Sequence, residues 1–118
     1  MEALKTLRHE FQMLTVLFRE YLEARNLSPR TVDEYPDAIR PFLTHIEAQD
    51  VENIRSVTVR HIQSYHGLLM ERTYKKRPLA ARTIEARLIQ VKSFFRFLHK
   101  TGKIYHDPIC NYELPKRG

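Results

Sequence analysis

Glycine and cysteine are scarce in this chain of 118 residues, which has 3 glycines, 1 cysteine and no tryptophan. Glycines at Gly67, Gly102 and Gly118 are too far apart to build a glycine-rich phosphate loop. A lone Cys110 cannot close an internal disulfide, which fits a reducing compartment. No uninterrupted apolar run exceeds three residues, as in Val16 to Phe18 and Leu68 to Met70. A membrane span needs about 20 such residues and a signal peptide about 7 to 15, so the sequence predicts a soluble, cytoplasmic chain with no membrane partner. The 6 prolines are scattered and no segment has the composition of disorder.

Reactive constellations are thin as well. His9, His45, His61, His66, His99 and His106 include no pair at i, i+4 and no His-Glu-x-x-His. His106 and Cys110 offer two ligands where structural zinc takes four and catalytic zinc three, so no metal is expected, nor any other cofactor. No base lies beside Cys110 in sequence, and it reads as a buried or incidental thiol. The outer-face carboxylates Asp33, Glu34 and Asp37 read as solvated charge, and no local catalytic site is expected.

What the chain does have is charge, unevenly placed. The net +6 divides into 6 Lys+Arg against 10 Asp+Glu over residues 1–54, and 14 against 4 over residues 55–118. The densest run is Arg72, Lys75, Lys76, Arg77, Arg82, Arg87, Lys92, Arg96, Lys100 and Lys103, interrupted by the single acid Glu85. Such a stripe attracts polyanions. On charge alone, an ordinary solvated face, a phosphoinositide site and an acidic-protein site remain open alternatives.

Apolar spacing predicts four helices and no strand. Leu14, Leu17, Phe18, Tyr21 and Leu22 share a stripe over residues 10–25. Ser28-Pro29 then supplies a capping hydroxyl and a proline at the first helical position. The second helix carries Val32, Tyr35, Ile39, Phe42, Leu43 and Ile46 on one face, with Pro36 and Pro41 inside it. Each interior proline costs roughly 3 kcal/mol, which predicts a kink or break between Tyr35 and Phe42. Residues 49–57 read as a connection whose Val51, Ile54 and Val57 plug the core. Thr58 caps a third helix with Ile62, Tyr65 and Leu69, ending near Thr73. A basic loop over 74–79 leads to a fourth helix, from about Ala80, with Ile84, Leu88, Val91, Phe95 and Leu98 as its seam and Phe94 beside it. That helix stops at Lys100-Thr101-Gly102, where glycine suits the left-handed position after a helix and Lys100 and Lys103 complement its negative end. The tail from Lys103 to Gly118 has room for one short helical turn. The fold class is all-α, a four-helix orthogonal bundle of one domain, with 1–112 as its body and 113–118 as the start of a linker.

Phe18 to Tyr35, FREYLEARNLSPRTVDEY, followed by Phe42-Leu43, resembles the opening of the core-binding, SAM-like domain of tyrosine recombinases and phage integrases. Ala81 to Leu98, ARTIEARLIQVKSFFRFL, is similar to that family's fourth helix, and Gly102 to Pro108, GKIYHDP, to its Gly-x-Ile-x-x-Asn-Pro exit. Leu114-Pro115-Lys116 resembles the linker that follows. The likeness spans about residues 13–118. It implies half of a C-shaped clamp on double-stranded DNA, with the second and fourth helices near the major groove, nucleoid association, and further recombinase protomers as partners in a synaptic complex. It also implies that catalysis, through a tyrosine, an Arg, a Lys and a His-x-x-Arg pair, belongs to a separate domain. The residues three beyond each histidine, Gln12, Ala48, Ser64, Leu69, Gly102 and Ile109, include no arginine, so this segment is not expected to cut DNA.

Carried over by position, the resemblance offers Ser28, Arg30 and Thr31 at the start of helix two, and Arg82, Thr83, Arg87 and Gln90 on helix four. At about 100° per residue, Arg82, Ala86 and Ser93 fall opposite the seam, with Arg96 and Gln90 on its shoulders and Arg87 near its edge. Arginine and glutamine reach guanine and adenine edges, while Lys75, Lys76 and Arg77 would neutralise phosphates and supply most of the energy. The expectation is one cationic flank from Tyr74 to Lys100. Three features depart from the family pattern: Pro36 and Pro41 interrupt helix two, Asp33, Glu34 and Asp37 make its face acidic, and Ala80 replaces a capping serine. The alternative is a helical protein-interaction module with a solvated basic face, and a further one is a regulator that occupies recombination sites without cutting them.

Overall fold

The computed structural model of the chain describes residues 7–114 and is all-α in character. Its helices are α1 (His9–Ala24), α2 (Pro29–Ala48), α3 (Val59–Glu71) and α4 (Ala81–Lys100). A 3₁₀ turn spans Ile54–Ser56, and two dipeptide strands, β1 (Thr73–Tyr74) and β2 (Arg77–Pro78), pair between α3 and α4. The chain divides into two compact units, one ending at Ser56 and the other starting at Val57. Pro115 and Lys116 of the expected linker lie outside the described residues.

In the first unit α1 packs on α2. The buried side chains of α1 are Phe11, Leu14, Thr15, Phe18 and Leu22. The stripe read from sequence is therefore turned slightly, since Leu17 and Tyr21 are only half-buried and Phe11 takes a central place. Thr15 is accommodated because its hydroxyl donates to the Gln12 carbonyl at 2.6 Å. The expected cap of α2 is present: Ser28 Oγ accepts from the Thr31 N–H at 3.2 Å, and Pro29 occupies the first helical position.

The expected break in α2 is absent. The helix runs unbroken through Pro36 and Pro41 for 20 residues. Pro36 is itself buried, along with Val32, Ala38, Ile39, Phe42, Leu43 and Ile46. Burying each large apolar side chain contributes about 1.5–3 kcal/mol, so five such residues outweigh two prolines at roughly 3 kcal/mol each. Tertiary burial decides the outcome, and the local penalty is absorbed.

Three helices stop by the same device. Asn26 (φ 58°), Asp50 (φ 65°) and Gly102 (φ 75°) take the left-handed conformation just after α1, α2 and α4. In each case the next N–H reaches back to a carbonyl five residues earlier: Leu27 to Leu22 at 3.4 Å, Val51 to Ile46 at 3.1 Å, Lys103 to Leu98 at 2.8 Å. These are Schellman motifs, which satisfy carbonyls that a helix end leaves unpaired. Only Gly102 is the residue type that favours this conformation without a Cβ penalty.

In the second unit, α3 opens with a capping box. Thr58 Oγ1 accepts from the Arg60 N–H, and His61 Nδ1 accepts from the Thr58 N–H at 2.9 Å. Ile62, Tyr65 and Leu69 are buried from α3. From α4 the buried set is Ile84, Leu88, Gln90, Val91, Phe94, Phe95, Phe97 and Leu98, half the helix circumference rather than a narrow seam. The segment after α4 buries Ile104 and Ile109 and makes a turn, with the Asp107 carboxylate accepting from the Ile109 N–H at 3.0 Å. Tyr112 fastens this segment to α3, its hydroxyl lying 2.7 Å from His66 Nδ1.

Ala80 stands at the N-cap of α4 and has no side chain able to cap it. Ala80→Ser should satisfy one orphan N–H and raise stability by about 1 kcal/mol, read as an increase of a few degrees in the thermal midpoint.

Candidate nucleic-acid interface

The basic loop expected between helices three and four is a β-hairpin. Thr73 pairs with Pro78 and Tyr74 with Arg77, leaving Lys75-Lys76 as a two-residue turn. Both turn residues have positive φ, 52° and 64°, the geometry of a type I′ turn. That turn favours Asn-Gly, and a lysine pair gives no sequence signal for it, which is why the strands were not legible. The Leu79 N–H closes the base of the ribbon on the Arg72 carbonyl at 3.3 Å. Lys75, Lys76 and Arg77 are exposed on this short ribbon.

The hairpin and the first turns of α4 enclose an open cleft of about 730 Å³. Lys75 and Arg77 enter it from the hairpin, Thr83 and Arg87 from α4, and Pro78, Leu79 and Ala80 line the stretch between. Four of the sequence candidates thus converge on one concavity with three cations and a hydroxyl. Lys76 is not part of its lining.

Arg82 and Arg96 do not belong to this cleft. They lie on the outer face of α4 with Lys92 and Lys100, and Arg96 is about half a turn of the helix away from Arg87. The cations between Tyr74 and Lys100 therefore form two sets, a hairpin cleft and an outer ridge, rather than one flank. Lys92, counted in the cation run but not offered as a contact residue, and the 38% exposed Ile89 also lie on the ridge.

Gln90 stands apart from both sets. Expected on an exposed shoulder, it is 9% exposed and accepts from Arg87 Nη1 at 3.4 Å. The cause is the breadth of the buried arc, which Phe94 and Phe97 extend to that side. Gln90 orients Arg87 and does not face solvent. Ala86 and Ser93 are half-buried.

At the start of α2, the Ser28 and Thr31 hydroxyls lie 3.1 Å apart within the cap, and Arg30 Nε donates to Glu34 Oε2 at 2.9 Å. The acids in the first half of that helix are all paired: Asp33 with Arg19 at 2.6 Å, Glu34 with Arg30, Asp37 with Arg40 at 3.7 Å. All are solvent-exposed pairs, each worth no more than about 1 kcal/mol and screened by salt. They nevertheless leave Arg30 with a carboxylate beside it.

Residues 16–102 match the family described as "Phage integrase, N-terminal SAM-like domain". The chain belongs to that family. Among curated proteins it is similar to the tyrosine recombinase XerC of Roseiflexus sp. (strain RS-1), 33% identical over 98 residues, covering 83% of this chain and 30% of that protein. It is 26% identical to XerC of Oceanobacillus iheyensis over 109 residues, covering 92% of this chain and 34% of the relative. For XerC of Rickettsia rickettsii (strain Sheila Smith) the identity is 33% over 110 residues, covering 90% and 35%. The chain thus spans about a third of the length of the curated relatives it matches. No solved structure matches it. Among the described residues no cluster of three or more metal-ligating side chains occurs, and no helix is long and apolar enough to cross a membrane.

In this SAM-like domain the charge of the exposed cleft arginine, Arg87, is felt by a buried tyrosine. Burial pushes the Tyr65 hydroxyl above the usual tyrosine range, against the lowering pull of Arg72 and Arg87. As pH rises past about 10 the unfolded tyrosine ionises first, so stability present below that pH is lost as the folded hydroxyl is forced to ionise. Tyr65→Phe should flatten the alkaline fall in stability, measured by chemical denaturation between pH 9 and about 11.5. The hairpin makes a second expectation: Lys75→Asn combined with Lys76→Gly places the preferred residues at positive φ and should raise the thermal midpoint, by about 1 kcal/mol equivalent.

Proposed function

We propose that this domain is the DNA-binding half-clamp of a site-specific tyrosine recombinase, a core-binding body over residues 1–112 that positions a separate catalytic domain on its recombination site. The observation that carries the reading is the hairpin cleft, where Lys75, Arg77 and Arg87 converge with Thr83 around one open concavity. Three cations with a hydroxyl donor suit a run of backbone phosphates, and a duplex is the polyanion that presents such a run. The membership of the chain in the integrase family supports the same partner. In this reading Lys76 adds charge at the hairpin tip, and Arg82 and Arg96 on the outer ridge face solvent where base edges or further phosphates are reached. Ser28, Arg30 and Thr31 contribute less, being held in the α2 cap and its ion pair. The chain itself cuts nothing, works in the cytoplasm at the nucleoid, and meets other protomers of its kind on DNA. Met13 and Val16, 43% and 48% exposed on one side of α1, are apolar surface available for such a protomer.

The experiment is a titration of a fluorescent duplex at two salt concentrations. Binding should lie in the non-specific range of about 10⁻⁴ to 10⁻⁶ M at physiological salt and weaken steeply as salt rises. Lys75→Ala with Arg77→Ala, and separately Arg87→Ala, should weaken all duplexes alike and reduce the salt slope by about one for each phosphate no longer neutralised. Arg82→Ala should instead change preference among sequences. Absence of binding at low salt, or binding indifferent to salt, would leave the protein-interaction alternative standing.

A further inference from the structure

A second concavity, of about 600 Å³, lies where α4 ends and the chain turns back. Arg96, His99 and Lys100 line it from the last turns of α4, and Tyr105, His106, Asp107 and Cys110 from the segment that follows. Arg96 belongs to the outer ridge, so the ridge opens directly into this cleft. His99 and His106 are exposed. Neither was offered as a DNA-contacting residue from sequence; His99 lies within the family match and His106 beyond its end at residue 102.

Two features of the cleft oppose an anion, and both are partly neutralised by the structure. The carbonyl end of a helix is negative, but Thr101 Oγ1 donates to the Phe97 carbonyl at 2.8 Å, the Lys103 N–H to Leu98 at 2.8 Å and the Gly102 N–H to His99 at 3.2 Å. The Asp107 carboxylate accepts from the Ile109 N–H at 3.0 Å. With Asp107 ionised, Arg96 and Lys100 leave the cleft with one net positive charge while both imidazoles are neutral, and with three when both are protonated. Histidine is the side chain that ordinarily makes this change between pH 5 and 8, whereas tyrosine and cysteine stay neutral over most of that range.

We propose that this cleft is a second contact for the phosphate backbone of duplex DNA, and that His99 and His106 take up protons as it binds. The proposal rests on the DNA-binding reading and adds to it a site at the opposite end of α4 from the hairpin cleft, with a pH dependence the hairpin cleft lacks. An imidazolium held against a phosphate is stabilised relative to the free protein, so DNA binding and protonation reinforce each other, and the effect grows as pH falls.

The test is anisotropy of a fluorescent duplex with the 118-residue chain from pH 8 to pH 5.5 at fixed low ionic strength. Affinity should rise as pH falls, on the order of threefold for each imidazole whose titration midpoint climbs by about half a pH unit on binding. His99→Gln with His106→Gln should bind as the unaltered chain does at pH 8 and lose the rise. Arg87→Ala should weaken binding at every pH and keep the rise. By NMR, both imidazole titrations should move to higher pH when duplex is added. Binding that is flat with pH, a rise that survives in the double histidine variant, or imidazole midpoints unmoved by duplex would overturn this proposal and leave the DNA reading intact. Failure to bind at any pH would remove both.

Discussion

The rotation of α4 about its own axis governs where the charge of the second unit points, and three phenylalanines fix that rotation. Phe94 packs edge-on against Phe95 with ring centres 5.5 Å apart and lies 6.2 Å from Phe97. All three are essentially buried, with Phe97 the most exposed at 2%. Turning the helix enough to bring Phe97 into water would forfeit about 1.5–3 kcal/mol for that ring alone. Solvated cations have no comparable preference for one direction, so they take what the rings leave. Arg82, Lys92, Arg96 and Lys100 are thereby assigned to one side, and Thr83 and Arg87, near the start of the helix, to the hairpin.

Charge is separated between the units in a corresponding way. The first holds most of the acids, and three of its α2 carboxylates sit beside arginines on exposed surface. In the second, cations outnumber acids heavily, and the two concavities described above are both edged by Arg or Lys. A polyanion approaching this chain is attracted by the second unit and repelled by the first. That asymmetry sets orientation before any contact is made.

Helices were legible in the sequence because their apolar spacing is regular and their starts and stops carry ordinary signals, such as Ser28-Pro29, Thr58 and Gly102. The same local rules allowed a break in α2, where two prolines argue for one that buried Ile39, Phe42, Leu43 and Ile46 override. They also missed the hairpin, since Lys75-Lys76 adopts a backbone conformation lysine does not favour. The stops at Asn26 and Asp50 are a milder instance of the same kind. Of the candidate site residues, Lys75, Arg77, Thr83 and Arg87 meet at one cleft, which no one-dimensional pattern states. Gln90 was misplaced because an ideal wheel drawn around Ile84 assumes a narrow seam, and the phenylalanines make it wide. His99 and His106 carried no signal, being seven residues apart and joined only by the turn after Gly102.

A two-stranded ribbon differs from a flexible basic tail in when its disorder is given up. Lys75, Lys76 and Arg77 sit on a backbone whose torsions are already set by the fold, at positive φ in two of the three positions. The chain entropy of that segment is spent in folding, so a partner that docks there has only side-chain rotamers left to freeze, about 0.5–1.5 kcal/mol for each long side chain held. Association at the hairpin then resembles the meeting of two preformed surfaces, fast to form and modest in heat-capacity change, rather than the coupled ordering of a disordered arm.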